Sequence, residues 1–138
     1  MNLRAGYSGK PLADKLGIKL GHAVAVINKP EGFEIEGLPV GLPLLQQLEP
    51  NLNLVLYFTS SLKELEKCFP KLIESTVQNG SIWISWPKKA SGLATDLNEN
   101  LVRDTGLAVG VVDVKVCAVD ETWSGLKFVR RLTDRTKG

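Results

Sequence analysis

Residues 53–86 read NLVLYFTSSLKELEKCFPKLIESTVQNGSIWISW, and this stretch decides the fold. Its first part, residues 53–59, is a short and nearly continuous apolar run, which is typical of a strand buried on both faces of a parallel sheet. Residues 81–86 alternate, with Ile82, Ile84 and Trp86 on one face, and predict a second strand. Because a helical pattern separates the two strands, the stretch predicts a β-α-β unit with a right-handed crossover.

The helix between these strands carries a start signal and an end signal. Ser61 and Glu64 have the spacing of a capping box, in which the hydroxyl caps the first turn and the carboxylate reaches back. Gly80, just past the last apolar position of the helical stripe, predicts the end of the helix. Pro70 lies inside the pattern and crowds the carbonyl of Glu66, so we expect a kink or a break there.

Apolar runs and helical patterns also alternate along the rest of the chain. They predict a short helix at 11–16, a strand at 22–28, a short helix near 44–48 within the Pro- and Gly-rich segment 30–50, a helix from Thr95 or Asp96 to Leu107, and hairpin strands at 111–119 and 122–131. The order of these elements predicts an α/β fold, a three-layer Rossmann-like domain over residues 1–138 whose mainly parallel sheet ends in an antiparallel hairpin. We expect residues 1–20 to form a lead-in with the short helix and residues 133–138 to form a frayed tail.

The first hairpin strand alternates in polarity. The even-numbered residues from Val112 to Ala118 are predicted to share one face of the sheet, while Asp113 and Lys115 point the other way. One side of the hairpin is therefore expected to be wetter than the other.

Composition excludes several classes of protein. The chain has 138 residues with a formal net charge of +2, which is too balanced to indicate a nucleic-acid or membrane surface. No apolar run approaches the roughly 20 residues that span a bilayer, and residues 1–10 lack the apolar stretch of a signal peptide, so we expect a cytoplasmic protein. Cys68 and Cys117 are far apart in apolar surroundings and are expected to be free thiols. With His22 as the one histidine, no metal site is predicted.

Three longer stretches resemble a known family. GYSGKPLADKLGIKLG (6–21), SWPKKASGLATDLNEN (85–100) and VDVKVCAVDETWSGLKF (112–128) resemble a family of small bacterial proteins known only as a domain of unknown function. This resemblance implies a bacterial, cytoplasmic protein and transfers no activity.

A weaker similarity is to the class I methyltransferase fold, which also has a leader helix, a helix ending in Asn-Gly before a strand, and a terminal antiparallel hairpin. That resemblance implies the same Rossmann-like layout. It does not extend to the cofactor motif, because VINKPEGFEIEG (26–37) has no Gly-x-Gly turn after the first strand and carries a proline after Lys29. Glu34 or Glu36 is placed where a ribose contact is conceivable, but an exposed loop carboxylate is the simpler interpretation. Loss of S-adenosylmethionine binding is therefore predicted.

The loop after residues 81–86 is the first candidate site. Lys88 and Lys89 follow the strand directly, and ligands of open α/β sheets bind beyond the carboxyl ends of the strands. Small residues in the loop and a following helix N-terminus can hold an anion. Thr95 or Asp96, however, is expected to cap that helix with its own oxygen, and the loop then has a purely structural role.

The hairpin turn is expected at the same edge of the sheet. It would bring together ten residues: Lys88, Lys89, Ser91, Thr95, Asp96, Asn98, Asp120, Glu121, Trp123 and Ser124. This cluster has two interpretations. One is a polar cleft for a ligand, with Trp123 as a stacking wall. The other is a salt-bridged clamp between Lys88 or Lys89 and Asp120 or Glu121, which needs no ligand and is favoured for that reason.

No catalytic residues are predicted, because the sequence contains neither a Gly-x-Ser-x-Gly elbow nor a phosphate-loop or dinucleotide fingerprint. The sequence therefore favours a non-catalytic binding or interaction module. The alternative is an enzyme or sensor that binds an anionic or nucleotide-like small molecule at the 88–96 loop and the 120–125 turn. The residues identify no cofactor and no partner.

Overall fold

The computed structural model describes residues 10–134. Within this range six strands form one mixed sheet in the order β2-β1-β3-β4-β6-β5. The strands are β1 (Val24–Ile27), β2 (Leu44–Leu45), β3 (Leu52–Phe58), β4 (Thr76–Pro87), β5 (Val111–Ala118) and β6 (Trp123–Arg130); the helices are α1 (Leu12–Leu16), α2 (Leu62–Ser75) and α3 (Glu99–Ala108). The start of the predicted lead-in, at 1–9, and the end of the predicted tail, at 135–138, lie outside the described residues.

The sheet confirms the predicted fold class. β1 pairs in parallel with both β2 and β3, and β3 pairs in parallel with β4. β6 then pairs antiparallel with β4 and with β5, so the hairpin closes one side of the sheet. The strands β1, β3 and β4 end together, and β6 begins beside the end of β4, where Pro87 pairs with Trp123. We call this side of the sheet the carboxyl edge.

Two hydrophobic clusters cover the two faces of the sheet. On one face, Leu65 and Phe69 of α2 and Val102 of α3 pack with strand residues such as Ile84. On the other, Leu16 of α1 and residues of the coil between β1 and β2 pack with the rest of the strands. β1, β3 and most of β4 are buried because both faces are covered there, which is why their sequences are nearly continuous in apolar character.

The helix α2 begins as predicted and ends earlier. The Ser61 Oγ accepts the Glu64 N–H at 3.1 Å, but the Glu64 carboxylate does not reach back; it accepts hydrogen bonds from the Thr59 and Tyr57 hydroxyls. The helix continues through Pro70, so the expected break is absent.

The predicted stop at Gly80 is wrong. The backbone becomes extended at Thr76, which pairs with Leu52, and Gly80 lies within β4. A side chain on Gly80 would meet the Asn53 carbonyl oxygen at 3.1 Å and the Val77 carbonyl oxygen at 3.0 Å. The glycine therefore permits a close approach of the backbone inside the sheet and has no role at the helix terminus.

The segment 30–50 contains no helix; the predicted one near 44–48 is wrong. Leu44 and Leu45 pair with β1 as a two-residue strand, and the rest is turns and coil. Phe33 and Ile35 are buried against the sheet face that α1 also covers. Apolar side chains in this segment are thus a covering layer, and their irregular spacing among prolines and glycines gives no helical period.

The prediction that alternate residues of β5 share a face is wrong because the strand contains a bulge. Asp113 pairs with Phe128, and Lys115 pairs with Lys127. Between these two pairs β5 advances by two residues and β6 by one, so Val114 is the extra residue. An extra residue reverses the alternation beyond it. Asp113 therefore binds Arg103 of α3 on one face, whereas Lys115 reaches the α1 carbonyl of Lys15 on the other.

Candidate site at the carboxyl edge

A groove of about 570 Å³ opens at the carboxyl edge, beside the end of β4. We call it the edge groove. It lies between the loop that leaves β4, the first turn of α3 and the start of β6. Its lining residues are Trp86, Pro87, Lys88, Lys89, Leu93, Thr95, Leu97, Asn98, Glu99 and Ser124.

The edge groove brings together half of the residues predicted from the sequence. Five of the ten line it: Lys88, Lys89, Thr95, Asn98 and Ser124. The other five do not line it: Ser91, Asp96, Asp120, Glu121 and Trp123. The hairpin turn does meet the double-lysine loop, because the Lys88 N–H donates to the Thr122 carbonyl at 2.8 Å.

The predicted clamp does not form. Within residues 10–134 no ion pair joins Lys88 or Lys89 to an acidic side chain. The Asp120 Oδ1 instead accepts the N–H groups of Thr122 and Trp123, both at 2.8 Å, and holds the turn itself. An aspartate at the start of a turn commonly bonds the backbone two residues on, and this local contact replaces the ion pair.

The loop between Lys88 and Gly92 is a single 3-10 turn stabilised by Ser91. The Ser91 hydroxyl donates to the Lys88 carbonyl at 2.7 Å and accepts the Leu93 N–H at 3.1 Å. Gly92 follows with φ of 79°, a conformation that favours glycine. Ser91 therefore shapes the loop and does not face the groove.

Neither Thr95 nor Asp96 caps α3, in contrast to the prediction. The cap is Asn98, whose Oδ1 accepts the Leu101 N–H at 2.9 Å. The Asp96 Oδ1 instead accepts the Leu62 N–H, at 2.8 Å, from the first turn of α2. A carboxylate is favourable near a helix N-terminus, so Asp96 ties the loop to the neighbouring helix.

Thr95 makes a second tie between the loop and the α2 start. Its hydroxyl donates to the Ser60 carbonyl at 2.8 Å and accepts the Leu97 N–H at 3.0 Å. Together with Asp96, Thr95 fixes the side of the edge groove that lies away from β6. No local sequence pattern predicts these contacts, because the partners are more than 30 residues apart in the chain.

Trp86, and not Trp123, lines the edge groove. Trp123 packs edge-on against Phe58, with ring centroids 5.1 Å apart, in the hydrophobic cluster on the opposite face of the sheet. Trp86 lines the groove with Leu97. The alternation of residues 81–86 already placed Trp86 on the Ile82 and Ile84 face, and that face is the one α3 covers.

The charges at the groove are unevenly compensated. Glu99 accepts from Arg103 one turn along α3, and Asp113 accepts from the same guanidinium at 2.9 Å. These two hydrogen bonds raise the pKa of Arg103. The negative charge of Glu99 is therefore shared with a fixed cation, whereas the ammonium groups of Lys88 and Lys89 have no acidic partner within residues 10–134.

Two side chains of the segment that follows β1 contact Phe58 at the end of β3. The Asn28 Nδ2 donates to the Phe58 carbonyl at 3.1 Å and bridges the ends of β1 and β3. Phe33 packs against Phe58 with ring centroids 4.9 Å apart. No Gly-x-Gly turn follows β1, although Asn28 has a φ of 60°, and the loss of S-adenosylmethionine binding stays a prediction.

A second, smaller cavity of about 250 Å³ lies along that segment. Its walls are mainly apolar, with Lys29 and Glu34 as the charged residues. Glu34 is exposed there, while Glu36 contributes its carbonyl to the Ala13 N–H.

Two other classes of site find no support in the described part of the chain. No group of three or more His, Cys, Asp and Glu side chains between residues 10 and 134 could hold a metal ion. Cys68 and Cys117 are free thiols, and burial raises the pKa of Cys117. No helix in the same range has the length and apolar character needed to cross a bilayer.

Solved structures that share this fold include two methyltransferases. Magnesium protoporphyrin IX methyltransferase from Synechocystis PCC 6803, solved with bound SAM, gives a TM-score of 0.50 at 14% identity over 65% of this chain and 46% of that chain. A protein assigned as a type 11 methyltransferase from Sulfolobus solfataricus gives a TM-score of 0.51 at 11% identity over 68% of this chain and 62% of that chain.

The similarity to these solved structures shows the fold and nothing finer. No protein-family model matches the chain, and no curated protein does. The resemblance to the family of unknown function therefore stays a prediction. The aligned region spans about half to three fifths of the two methyltransferases, and the identities are low. What this chain shares with them is the α/β methyltransferase-like fold.

Proposed function

We propose that the chain binds a small anionic or nucleotide-like molecule in the edge groove. The observation that carries this proposal is the pairing of two uncompensated lysines with an apolar wall in one groove at the carboxyl edge. Ligands of open α/β sheets bind at this edge. The volume of about 570 Å³ lies within the range of small-molecule sites.

The lining offers one group for each part of such a molecule. The ammonium groups of Lys88 and Lys89 favour a phosphate or carboxylate. Leu93, which is half-exposed, and the small accessible parts of Trp86 and Leu97 offer apolar surface for a ring. The hydroxyl of Ser124 lies at the same groove and can donate to or accept from a polar edge.

An interaction module without a ligand is supported less well. That function predicts either paired charges that leave no cavity or an apolar patch at the carboxyl edge. The lysine–carboxylate pairs of the clamp do not form within residues 10–134, and a cavity is present. The methyltransferase neighbours, one of them solved with bound SAM, agree with a small-molecule function at the level of the fold.

We do not expect S-adenosylmethionine to be the ligand, because no Gly-x-Gly turn follows β1. The edge groove lies elsewhere along the same edge, between β4, β6 and α3. Binding of the expected ligand in the edge groove therefore does not require a site for a methyl donor after β1.

Thermal melting with ADP, AMP, orthophosphate and S-adenosylmethionine tests the proposal. A compound at a hundred times its dissociation constant stabilises by about 2.7 kcal/mol, which is roughly 10 °C in Tm for a domain of this size. We expect ADP or AMP to raise Tm in the wild type and not in Lys88→Ala/Lys89→Ala. The matched control is Lys67→Ala/Lys71→Ala on the exposed side of α2, which changes the same charge and keeps the response. If no compound raises Tm, or if the response survives in Lys88→Ala/Lys89→Ala, the proposal is wrong.

A further inference from the structure

A second set of cations lies on the opposite face of the sheet from the edge groove. Lys15 belongs to α1, Lys19 follows α1, and Lys115 and Lys127 belong to β5 and β6. We call these four residues the lysine face. The edge groove is on the side that α3 covers, so the two sites share no residue.

The bulge in β5 creates this face. Beyond the bulge Lys115 becomes the direct cross-strand partner of Lys127. Without the extra residue at Val114, the partner of Lys127 would be Val114, and Lys115 would point to the α3 side. Bulges commonly re-aim side chains near functional sites.

The pairing is unfavourable for the protein alone. Like charges directly opposite each other on antiparallel strands are destabilising. Burial, and then the charges of Lys115 and Lys19, lower the pKa of Lys127. Within residues 10–134 no carboxylate forms an ion pair with Lys19, Lys115 or Lys127.

The C-terminus of α1 explains the position of Lys115 but not those of Lys19 and Lys127. The Lys115 Nζ donates to the Lys15 carbonyl at 2.9 Å, a favourable contact for the end of a helix. The neighbouring carbonyl of Leu16 is already bonded to the Trp83 indole N–H at 3.0 Å. Lys127 lies against Gly17, where an added Cβ would be 3.9 Å from its Nζ, and Lys19 is exposed. Two ammonium groups are therefore left without a structural role.

We propose that the lysine face binds a phosphate chain, either free or as the tail of a nucleoside triphosphate. The Cβ atoms of a directly opposed lysine pair lie roughly 5 Å apart, and Lys19 adds a third charge near Lys127. Such a compact cluster suits a ligand with several adjacent phosphates, because each anionic group both pairs with an ammonium and relieves the repulsion between the lysines. A single orthophosphate compensates less of this charge.

The test uses the Lys88→Ala/Lys89→Ala protein, in which the edge groove has lost its cations. Sodium tripolyphosphate, ATP and orthophosphate are titrated separately at equal ionic strength, and binding is followed by calorimetry and by Tm. We expect saturable binding of tripolyphosphate that weakens at least tenfold when Lys19→Gln and Lys115→Gln are added. Lys67→Gln/Lys71→Gln is the matched control and is expected to leave binding unchanged. Equal binding of ATP identifies the nucleotide tail as the source, and binding of tripolyphosphate alone identifies the free chain.

Lys115→Glu gives a second readout that a merely structural cluster would not share. It turns the opposed pair with Lys127 into one of opposite charge and loses the hydrogen bond to the Lys15 carbonyl, so we expect a Tm without ligand close to that of the parent and no rise with tripolyphosphate. In the parent protein the Lys127 ammonium resonance should shift on addition of tripolyphosphate, and its pKa should rise. The proposal is overturned if orthophosphate gives the same response as tripolyphosphate, if Lys19→Gln/Lys115→Gln binds as tightly as the parent, or if no saturable binding occurs.

Discussion

Gly106 is the position at which the packing of α3 on the sheet can be tested most sharply. It lies in the last turns of α3, is buried and has an ordinary helical backbone, so an alanine would be well tolerated by the helix itself. An added Cβ would stand 2.7 Å from Cδ2 and 2.8 Å from Cζ of Phe128, and closer still to its Cε2. Ordinary van der Waals contact begins near 3.4 Å.

Phe128 has no room to move away. Its side chain is fully buried and packs edge-on against Phe69 of α2, with ring centroids 5.2 Å apart. Forcing a methyl group into such a core costs about 3 kcal/mol at the upper end of the usual range. Replacing a helical glycine by alanine recovers about 1 kcal/mol. The expected net effect of Gly106→Ala is therefore a loss of about 2 kcal/mol.

Urea unfolding and thermal melting measure this loss, which corresponds to a decrease in Tm of roughly 6–10 °C. Asp104→Ala, at an exposed position of the same helix, is the control for helix propensity and should be neutral or slightly stabilising. Gly106→Ala combined with Phe128→Leu should lose less than the two single changes added together. If Gly106→Ala raises the free energy of unfolding as propensity alone predicts, the close approach of α3 to β6 is refuted.

Three further changes test other elements. Asn98→Ala removes the cap of α3 and should cost about 1 kcal/mol in urea unfolding, whereas a comparable loss in Asn100→Ala would contradict that role. Pro70→Ala restores an N–H that can donate to the Glu66 carbonyl, so we expect about 1–3 kcal/mol of stabilisation; a lower Tm would contradict it. Burial, with neighbouring groups adding to it, raises the pKa of Tyr57 in the folded state, so the native protein holds its proton longer and stability falls as pH rises above about 10. Tyr57→Phe should remove that part of the fall, and an unchanged pH profile would contradict the assignment.

The parts of the fold that follow local patterns are predictable from the sequence. The apolar run at 53–59 and the alternation at 81–86 correspond to β3 and to the main part of β4. Ser61 caps α2 as its spacing with Glu64 indicates. These features depend on residues that are close in the chain, where the periodicity of burial and the chemistry of a cap act directly.

The parts that were missed depend on contacts between distant segments. The sequence predicts Asp96 as a cap for the helix that follows it, but the Asp96 Oδ1 accepts the N–H of Leu62 in α2, 34 residues earlier in the chain. The bulge at Val114 leaves no trace in a regular apolar and polar alternation, because it is defined by the pairing with β6. In the segment 30–50, the layer formed by Phe33 and Ile35 depends on the sheet face beneath it.

The meeting of the double-lysine loop and the hairpin turn is predictable from the sequence, whereas the side chains that line the edge groove are not. The sequence places the double-lysine loop and the hairpin turn at one edge, and the structure joins them through Lys88 and Thr122. The sequence does not reveal which side chains face the edge groove. Asp120 closes its own turn and Trp123 packs on the far face, because each satisfies a local or buried contact before any ligand is considered.

Mapping the amide chemical shifts of the isotope-labelled protein during a titration with ADP shows where a nucleotide binds and therefore tests whether the edge groove is a ligand site. We expect the largest changes on the N–H groups of Lys88 to Thr95, of Asn98 and of Ser124, with little change in α2 beyond its first turn. The strongest contradiction would be a titration in which those amides stay unchanged, or in which the largest shifts lie at Asn28 and Phe33, after β1.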